Sequence, residues 1–237
     1  MLESGVFLDA DCFLNEPGIG YEWVGDKAAG IMTVVGAFPD GIIERSHLLV
    51  VDAMDEIGFT GKTIGGLNVE SKHSTDIHLV PNPRPGCQWE GAWSHDALSA
   101  IGYDLAEIDD GIFQGIGRAV KLYQALVQEL TDIELEDTGY QFQRYTKGEG
   151  FYRSHVDCAA GDPDHSQRVL GVVVYLNTVN LGGQTYLSRH DTYVMPEAGK
   201  ILLFPANWTH PHESMVPLSD DKFIVSTFIK TAERHDH

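Results

Sequence analysis

The stretch Gly150-Phe151-Tyr152-Arg153-Ser154-His155-Val156-Asp157 decides how this chain is read. It sets a histidine and an aspartate two residues apart, and on an extended segment such residues project from one face. Both side chains can then reach a single ion. A third ligand has to come from elsewhere, and Trp208-Thr209-His210-Pro211-His212-Glu213 offers two histidines. Two imidazoles and one carboxylate leave positions on the ion open, the facial arrangement that suits Fe(II). Further on, Lys222 heads the apolar run Phe223-Ile224-Val225. A buried lysine there is costly without an anion beside it, and a dicarboxylate cosubstrate would supply one.

The texture around these segments is that of strands and turns. After Glu134, runs rich in β-branched and aromatic residues cover 140–145, 169–176, 185–187, 192–195, 200–204 and 223–229. Turn residues separate them at 147–150, 180–183, 196–199 and 219–221. Strands at such short intervals predict a sandwich or double-sheet jelly roll. Upstream, apolar residues recur with helical spacing from Pro39 to Ile57, where Gly58 is a stop. A second helix is predicted over 109–130, with Asp109 or Asp110 as its cap. Residues 1–30 read as an arm or a strand or two. Residues 81–93 read as a loop in which Trp89 and Trp93 pack on the body or line an entrance.

Composition sets the outer bounds. The 237 residues suit one domain with its own core. No apolar run is long enough to span a bilayer, and the start Met1-Leu2-Glu3-Ser4 lacks the basic and apolar parts of a secretory signal. Three dispersed cysteines, Cys12, Cys87 and Cys158, form no framework, so reduced thiols and a cytoplasmic setting are expected. Cys158 reads as a passive small side chain. The net charge of −19 opposes a nucleic-acid partner, because phosphate backbones would be repelled.

With those residues in view, the chain from about 140 to 230 resembles the core of prolyl 4-hydroxylase-type 2-oxoglutarate oxygenases. The matching stretches are Gln143-Arg144-Tyr145, Gly150-Phe151-Tyr152 with His155 and Asp157, Arg168-Val169-Leu170 and Val174-Tyr175-Leu176-Asn177. After them come Gly182-Gly183-Gln184-Thr185, Pro196 to Pro205, and His212 with Lys222. Gln184 and Phe228 stand where Glu and Trp are common in the family. The resemblance implies an α+β fold: a double-stranded β-helix (jelly roll, cupin-like) with supporting N-terminal helices. One oxygenase domain would cover 1–237, with an arm and supporting helices over 1–135 and the catalytic core over 136–231.

The resemblance also implies the chemistry: a procollagen-proline 4-dioxygenase-like enzyme using Fe(II), 2-oxoglutarate and O2, with ascorbate as reductant, on a proline-containing peptide or protein. It implies His155, Asp157 and His212 as metal ligands and Lys222 as the clamp on the distal carboxylate of 2-oxoglutarate. Tyr145, Tyr175 and Thr185 would line the cosubstrate pocket, and Tyr152 and Arg153 would meet the substrate. His210, two residues before His212, would then support the pocket, while His165 and His190 read as solvated. Asp157 favours hydroxylation, since halogenating relatives lack that carboxylate. The alternatives are the same chemistry on a non-prolyl substrate, a nucleic-acid demethylase, a zinc hydrolase and a non-catalytic metal-binding β-barrel. The last two leave Lys222 unexplained.

Overall fold

The computed structural model describes residues 17–63, 66–79, 92–93, 105–158 and 165–232. The arm before residue 17, Trp89, Cys12, Cys87 and the tail with His235 and His237 lie outside the described residues. In chain order the first elements are β1 (Gly20–Trp23), β2 (Met32–Val35), α1 (Ile42–Ile57), β3 (Phe59–Thr60), β4 (Lys72–His73) and β5 (Thr75–Leu79). Then come β6 (Ala92–Trp93), α2 (Leu105–Leu126), β7 (Leu135–Asp137), β8 (Tyr140–Tyr145), β9 (Phe151–His155) and β10 (Arg168–Tyr175). The chain ends with β11 (Thr185–Leu187), β12 (Thr192–Val194), β13 (Ile201–Pro205), β14 (His212–Ser214) and β15 (Lys222–Thr231).

Two sheets form from these strands. The larger runs β1-β2-β13-β10-β15-β8-β5-β3, with β6 beside β5 and β7 beside β15; the smaller runs β12-β11-β14-β9-β4. All pairs are antiparallel except β5 with β6. This is the double-stranded β-helix with helical support.

The period of two along each strand decides what faces where. On β15, Phe223, Val225 and Ile229 join the cluster shared with the helices, whereas Lys222, Ile224, Ser226 and Phe228 line a cavity on the other face. On β13, Ile201 and Leu203 join the helices while Leu202 and Phe204 face the smaller sheet. Both faces of the large sheet are therefore covered, which is why its central strands read as nearly continuous apolar runs. The helices supply the cover: Ile42, Leu49, Val50, Ala53 and Met54 of α1 and Leu105, Ile108, Ile112, Ile116, Ala119 and Tyr123 of α2 are buried against it.

Three expectations change. Helix α2 begins at Leu105, so Asp109 and Asp110 lie inside it; Leu105 and Ile108 continue the apolar face upstream of those acids. The end of the expected 109–130 span is a separate 3₁₀ turn at Gln128–Leu130. The N-terminal part also does more than support the core: β1 and β2 extend the large sheet beyond β13, β5 pairs with β8, and β4 extends the small sheet beside β9. No helix of the described residues is long and apolar enough to cross a membrane.

Candidate active site

His155 ends β9 and His212 starts β14, and the two are cross-strand partners. Asp157 follows two residues on and is buried. Asp157 Oδ1 lies 3.5 Å from His155 Nε2 and Oδ2 lies 3.7 Å from His212 Nε2. One ligand atom from each of the three residues falls within 4.8 Å of the others.

Both imidazoles are oriented for this. His155 Nδ1 is 2.9 Å from the Arg153 carbonyl and His212 Nδ1 is 3.2 Å from the His210 carbonyl. A carbonyl only accepts, so Nδ1 carries the proton and the Nε2 lone pair points to the centre. Burial lowers His212 to about 4, so its ring is unprotonated and ready to ligate at neutral pH. Burial pushes the Asp157 carboxyl up, but His212, His155 and Arg168 outweigh it and the net shift is downward. Two imidazoles presenting Nε2 and one carboxylate around an open centre fit Fe(II).

The backbone makes room for this cluster at Gly171 of β10. A Cβ there would lie 2.6 Å from Asp157 Oδ2 and 2.7 Å from Phe204 Cζ. Arg168, on the same strand, is buried, donates to the Asp157 carbonyl at 2.9 Å and stacks on Phe228 at 3.5 Å. The motif around Arg168 is visible in the sequence, but this double contact is not.

The cluster opens into a cavity of about 700 Å³. Its wall holds Lys62, Lys72, Arg168 and Lys222, and its only carboxylate among the described residues is Asp157. A chain of net charge −19 thus surrounds its metal cluster with cations. Lys222 is 1% exposed. Its ammonium donates to the Gly183 carbonyl at 2.9 Å and to Ser214 Oγ, and lies 4.6 Å from the Tyr145 ring centre. Among the described residues it makes no ion pair, and burial lowers it to about 7. Gly182 and Gly183 both have φ of +73°, and a Cβ on Gly182 would meet the Val216 carbonyl at 2.4 Å. Only glycine lets this turn aim a carbonyl at Lys222.

The remaining expected site residues divide by depth. Thr185 lines the cavity, and Tyr175 sits one layer behind it, donating to Thr185 Oγ1 at 2.8 Å. Tyr145 underlies Lys222. Tyr152 lines the cavity, stacked 3.6 Å from the His155 ring, while Arg153 projects to the exposed face over Phe151; an irregularity in the pairing with β14 between Tyr152 and His155 lets both of those rings face the cavity.

The other histidines differ from expectation. His210 is buried with Nε2 2.7 Å from the Ala29 carbonyl and Nδ1 2.8 Å from Thr209 Oγ1, so both ring nitrogens are engaged away from the cluster. His190 is half-buried and stacks on His210 at 4.5 Å rather than being solvated, and His165 lines the cavity. The Cys158 thiol is free and rests 3.6 Å from the Ser166 carbonyl.

Comparison with known proteins bears on the same segment. Residues 140–230 match the 2OG-Fe(II) oxygenase superfamily. Among solved structures, a Trichoplax adhaerens prolyl hydroxylase in complex with a hypoxia inducible factor peptide fragment is similar at TM-score 0.59 and 18% identity, over 86% of this chain and 85% of that one. A Pseudomonas putida prolyl-4-hydroxylase is similar at 0.53 and 17%, over 93% and 96%. A collagen prolyl hydroxylase of Paramecium bursaria Chlorella virus-1, in its 2OG complex, is similar at 0.52 and 16%, over 87% and 98%. No curated protein sequence matches. The strands that carry His155, Asp157, His212 and Lys222 thus lie in the segment that matches the 2OG-Fe(II) oxygenase superfamily, and the fold is similar to that of the prolyl hydroxylase structures.

Proposed function

We propose that this protein is an Fe(II)- and 2-oxoglutarate-dependent dioxygenase, a prolyl 4-hydroxylase acting on a peptide or protein. The observation that carries the cosubstrate reading is Lys222, a buried ammonium with only neutral acceptors among the described residues, in the same cavity as the metal cluster. Burial of a cation without a counter-charge is unfavourable unless a ligand brings the charge. A 2-oxoglutarate carboxylate is such a ligand, and Thr185 and Ser214 offer hydroxyls on the same wall.

His155, Asp157 and His212 would hold Fe(II). Bound iron and 2-oxoglutarate supply dioxygen activation, with decarboxylation to succinate and delivery of one oxygen atom to a substrate C–H bond. The protein's own part is to orient and to shield. The Arg153 and His210 carbonyls fix the imidazole tautomers, Arg168 braces the Asp157 backbone, and Tyr152 stacks against His155 on the cavity side.

The prolyl assignment is supported by the structural neighbours, one of which was solved with a peptide bound. A cytoplasmic setting goes with it, because Fe(II) and the free Cys158 thiol both suit a reducing compartment. The test is succinate release with Fe(II), 2-oxoglutarate and ascorbate across proline-containing peptides, with mass spectrometry for an oxygen added to proline. Succinate formed without oxygenated proline in any peptide would refute the prolyl assignment and leave the oxygenase class standing.

A further inference from the structure

The inward side chains of β8 are Gln141, Gln143 and Tyr145, and they are joined end to end. Gln143 Nε2 donates to Gln141 Oε1 at 2.8 Å, and the Tyr145 hydroxyl donates to Gln143 Oε1 at 2.8 Å. At one end Gln141 Nε2 meets Asp76 Oδ2 at 2.8 Å and His78 Nε2 at 2.9 Å. At the other end Ser214 hydrogen-bonds Tyr145, and Lys222 donates to Ser214. The row runs unbroken from Lys222 to Asp76.

Its direction is forced. A carboxylate only accepts, so Gln141 must turn its NH₂ group toward Asp76. His78, held unprotonated by burial, is a second acceptor on that group. Gln141 Oε1 is then left to accept from Gln143, and Gln143 Oε1 to accept from Tyr145. The single Tyr145 proton is committed inward, so its oxygen accepts from Ser214 and the Ser214 lone pairs face Lys222. The reverse order would set two acceptors against each other at Asp76, which a buried network does not tolerate.

Asp76 itself is locked in place. It is fully buried, pairs with Lys72 at 2.7 Å and accepts from Ser74 Oγ at 2.7 Å. Lys72 belongs to the smaller sheet and Asp76 to the larger, so the pair also ties the sheets across the cavity.

We propose that Asp76 is a positioning residue for the cosubstrate: acting through Gln141, Gln143, Tyr145 and Ser214, it fixes the orientation in which the Lys222 ammonium meets the distal carboxylate of 2-oxoglutarate. The inference rests on Lys222 being that clamp.

The experiment is an anaerobic titration of the Fe(II)-loaded protein with 2-oxoglutarate, followed by the metal-to-ligand charge-transfer absorbance. Lys72→Met/Asp76→Leu removes both charges without stranding either, so the fold survives, and the row loses the Oδ2 acceptor that fixes its end; 2-oxoglutarate affinity should fall roughly tenfold, the worth of one oriented hydrogen bond. Because the effect passes through one hydroxyl, Lys72→Met/Asp76→Leu combined with Tyr145→Phe should be no weaker than Tyr145→Phe alone. Fe(II) affinity measured without cosubstrate should stay at the parental value in every variant. Parental 2-oxoglutarate affinity in Lys72→Met/Asp76→Leu, full additivity in the combined variant, or a loss of iron affinity overturns the inference. A Lys222→Met protein that keeps parental affinity overturns the clamp reading itself, and this inference with it.

Discussion

Replacing Lys222 by methionine should move stability and binding in opposite directions. The ammonium is 1% exposed and burial takes it from 10.5 to about 7. At 1.36 kcal/mol per pH unit, holding that charge in the metal-free protein costs on the order of 5 kcal/mol at neutral pH. Methionine fills similar volume without the charge, but it leaves the Gly183 carbonyl without its donor, which costs about 1–3 kcal/mol. The net gain is about 2–4 kcal/mol, and for a chain of this length that raises Tm by roughly 4–16 °C. Binding moves the other way. Loss of one partner of a buried charged pair costs about 3–5 kcal/mol, so the 2-oxoglutarate Kd should rise by roughly two to three orders of magnitude. Thermal melts of the metal-free proteins and the anaerobic cosubstrate titration measure the two effects separately. A variant that melts below the parent, or that binds 2-oxoglutarate with parental affinity, refutes the account of Lys222 as a cation kept unpaired for a ligand.

The remaining predictions concern the cluster and its pH response. His155→Ala, Asp157→Ala and His212→Ala should each abolish succinate release and weaken Fe(II) binding, whereas His210→Ala should keep iron binding and lose about 1–3 kcal/mol of stability as the Ala29 carbonyl loses its donor. Gly171→Ala should weaken Mn(II) binding at least tenfold by calorimetry, because the new Cβ crowds Asp157 Oδ2 at 2.6 Å. The free-protein value of about 7 for Lys222 lies below the unfolded 10.5, so the unfolded chain holds more protons in between. Metal-free stability should therefore rise from about pH 7 toward 9 in denaturant titrations. Cosubstrate affinity should run the opposite way, highest below about pH 7 and falling above it, since only the protonated amine pairs with the carboxylate.

The metal cluster was legible because its signal is local. His155 and Asp157 are two apart on a strand end, and alternation alone puts them on one face. Most strand centres of the larger sheet were legible for the same reason, with ends displaced by a residue or two. The start of α2 was misplaced because Asp109 resembles a cap, while the apolar face of Leu105 and Ile108 continues beneath it. What the sequence hid depends on distant pairing. Lys72 and Asp76 sit in a short polar run whose members belong to different sheets, so no single period describes them. Gln141 and Gln143 look like the solvated face of an edge strand, yet β5 covers that edge and turns them into a buried row. His190 looks like a loop histidine until β12 and the 208–210 turn bring it against His210.

The contrast between two lysines in one cavity explains why the site is built from both halves of the chain. Lys72 and Lys222 are equally buried, at 1% exposure each. Lys72 has a carboxylate at 2.7 Å, and that carboxylate is further held by Ser74 and Gln141. It therefore needs nothing from outside. Lys222 has a carbonyl and a hydroxyl instead, and no acid among the described residues comes within ion-pair range. A cavity designed only for stability would pair both or bury neither, since an unpaired charge is the costliest group a core can hold. The asymmetry makes sense if one lysine closes the sandwich and the other waits for an anion. Asp76 comes from β5, outside the segment 140–230 that matches the oxygenase superfamily. The core strands bring the His155, Asp157 and His212 cluster and Lys222; the preceding strands bring the fixed counter-charge that decides which of the two lysines remains open.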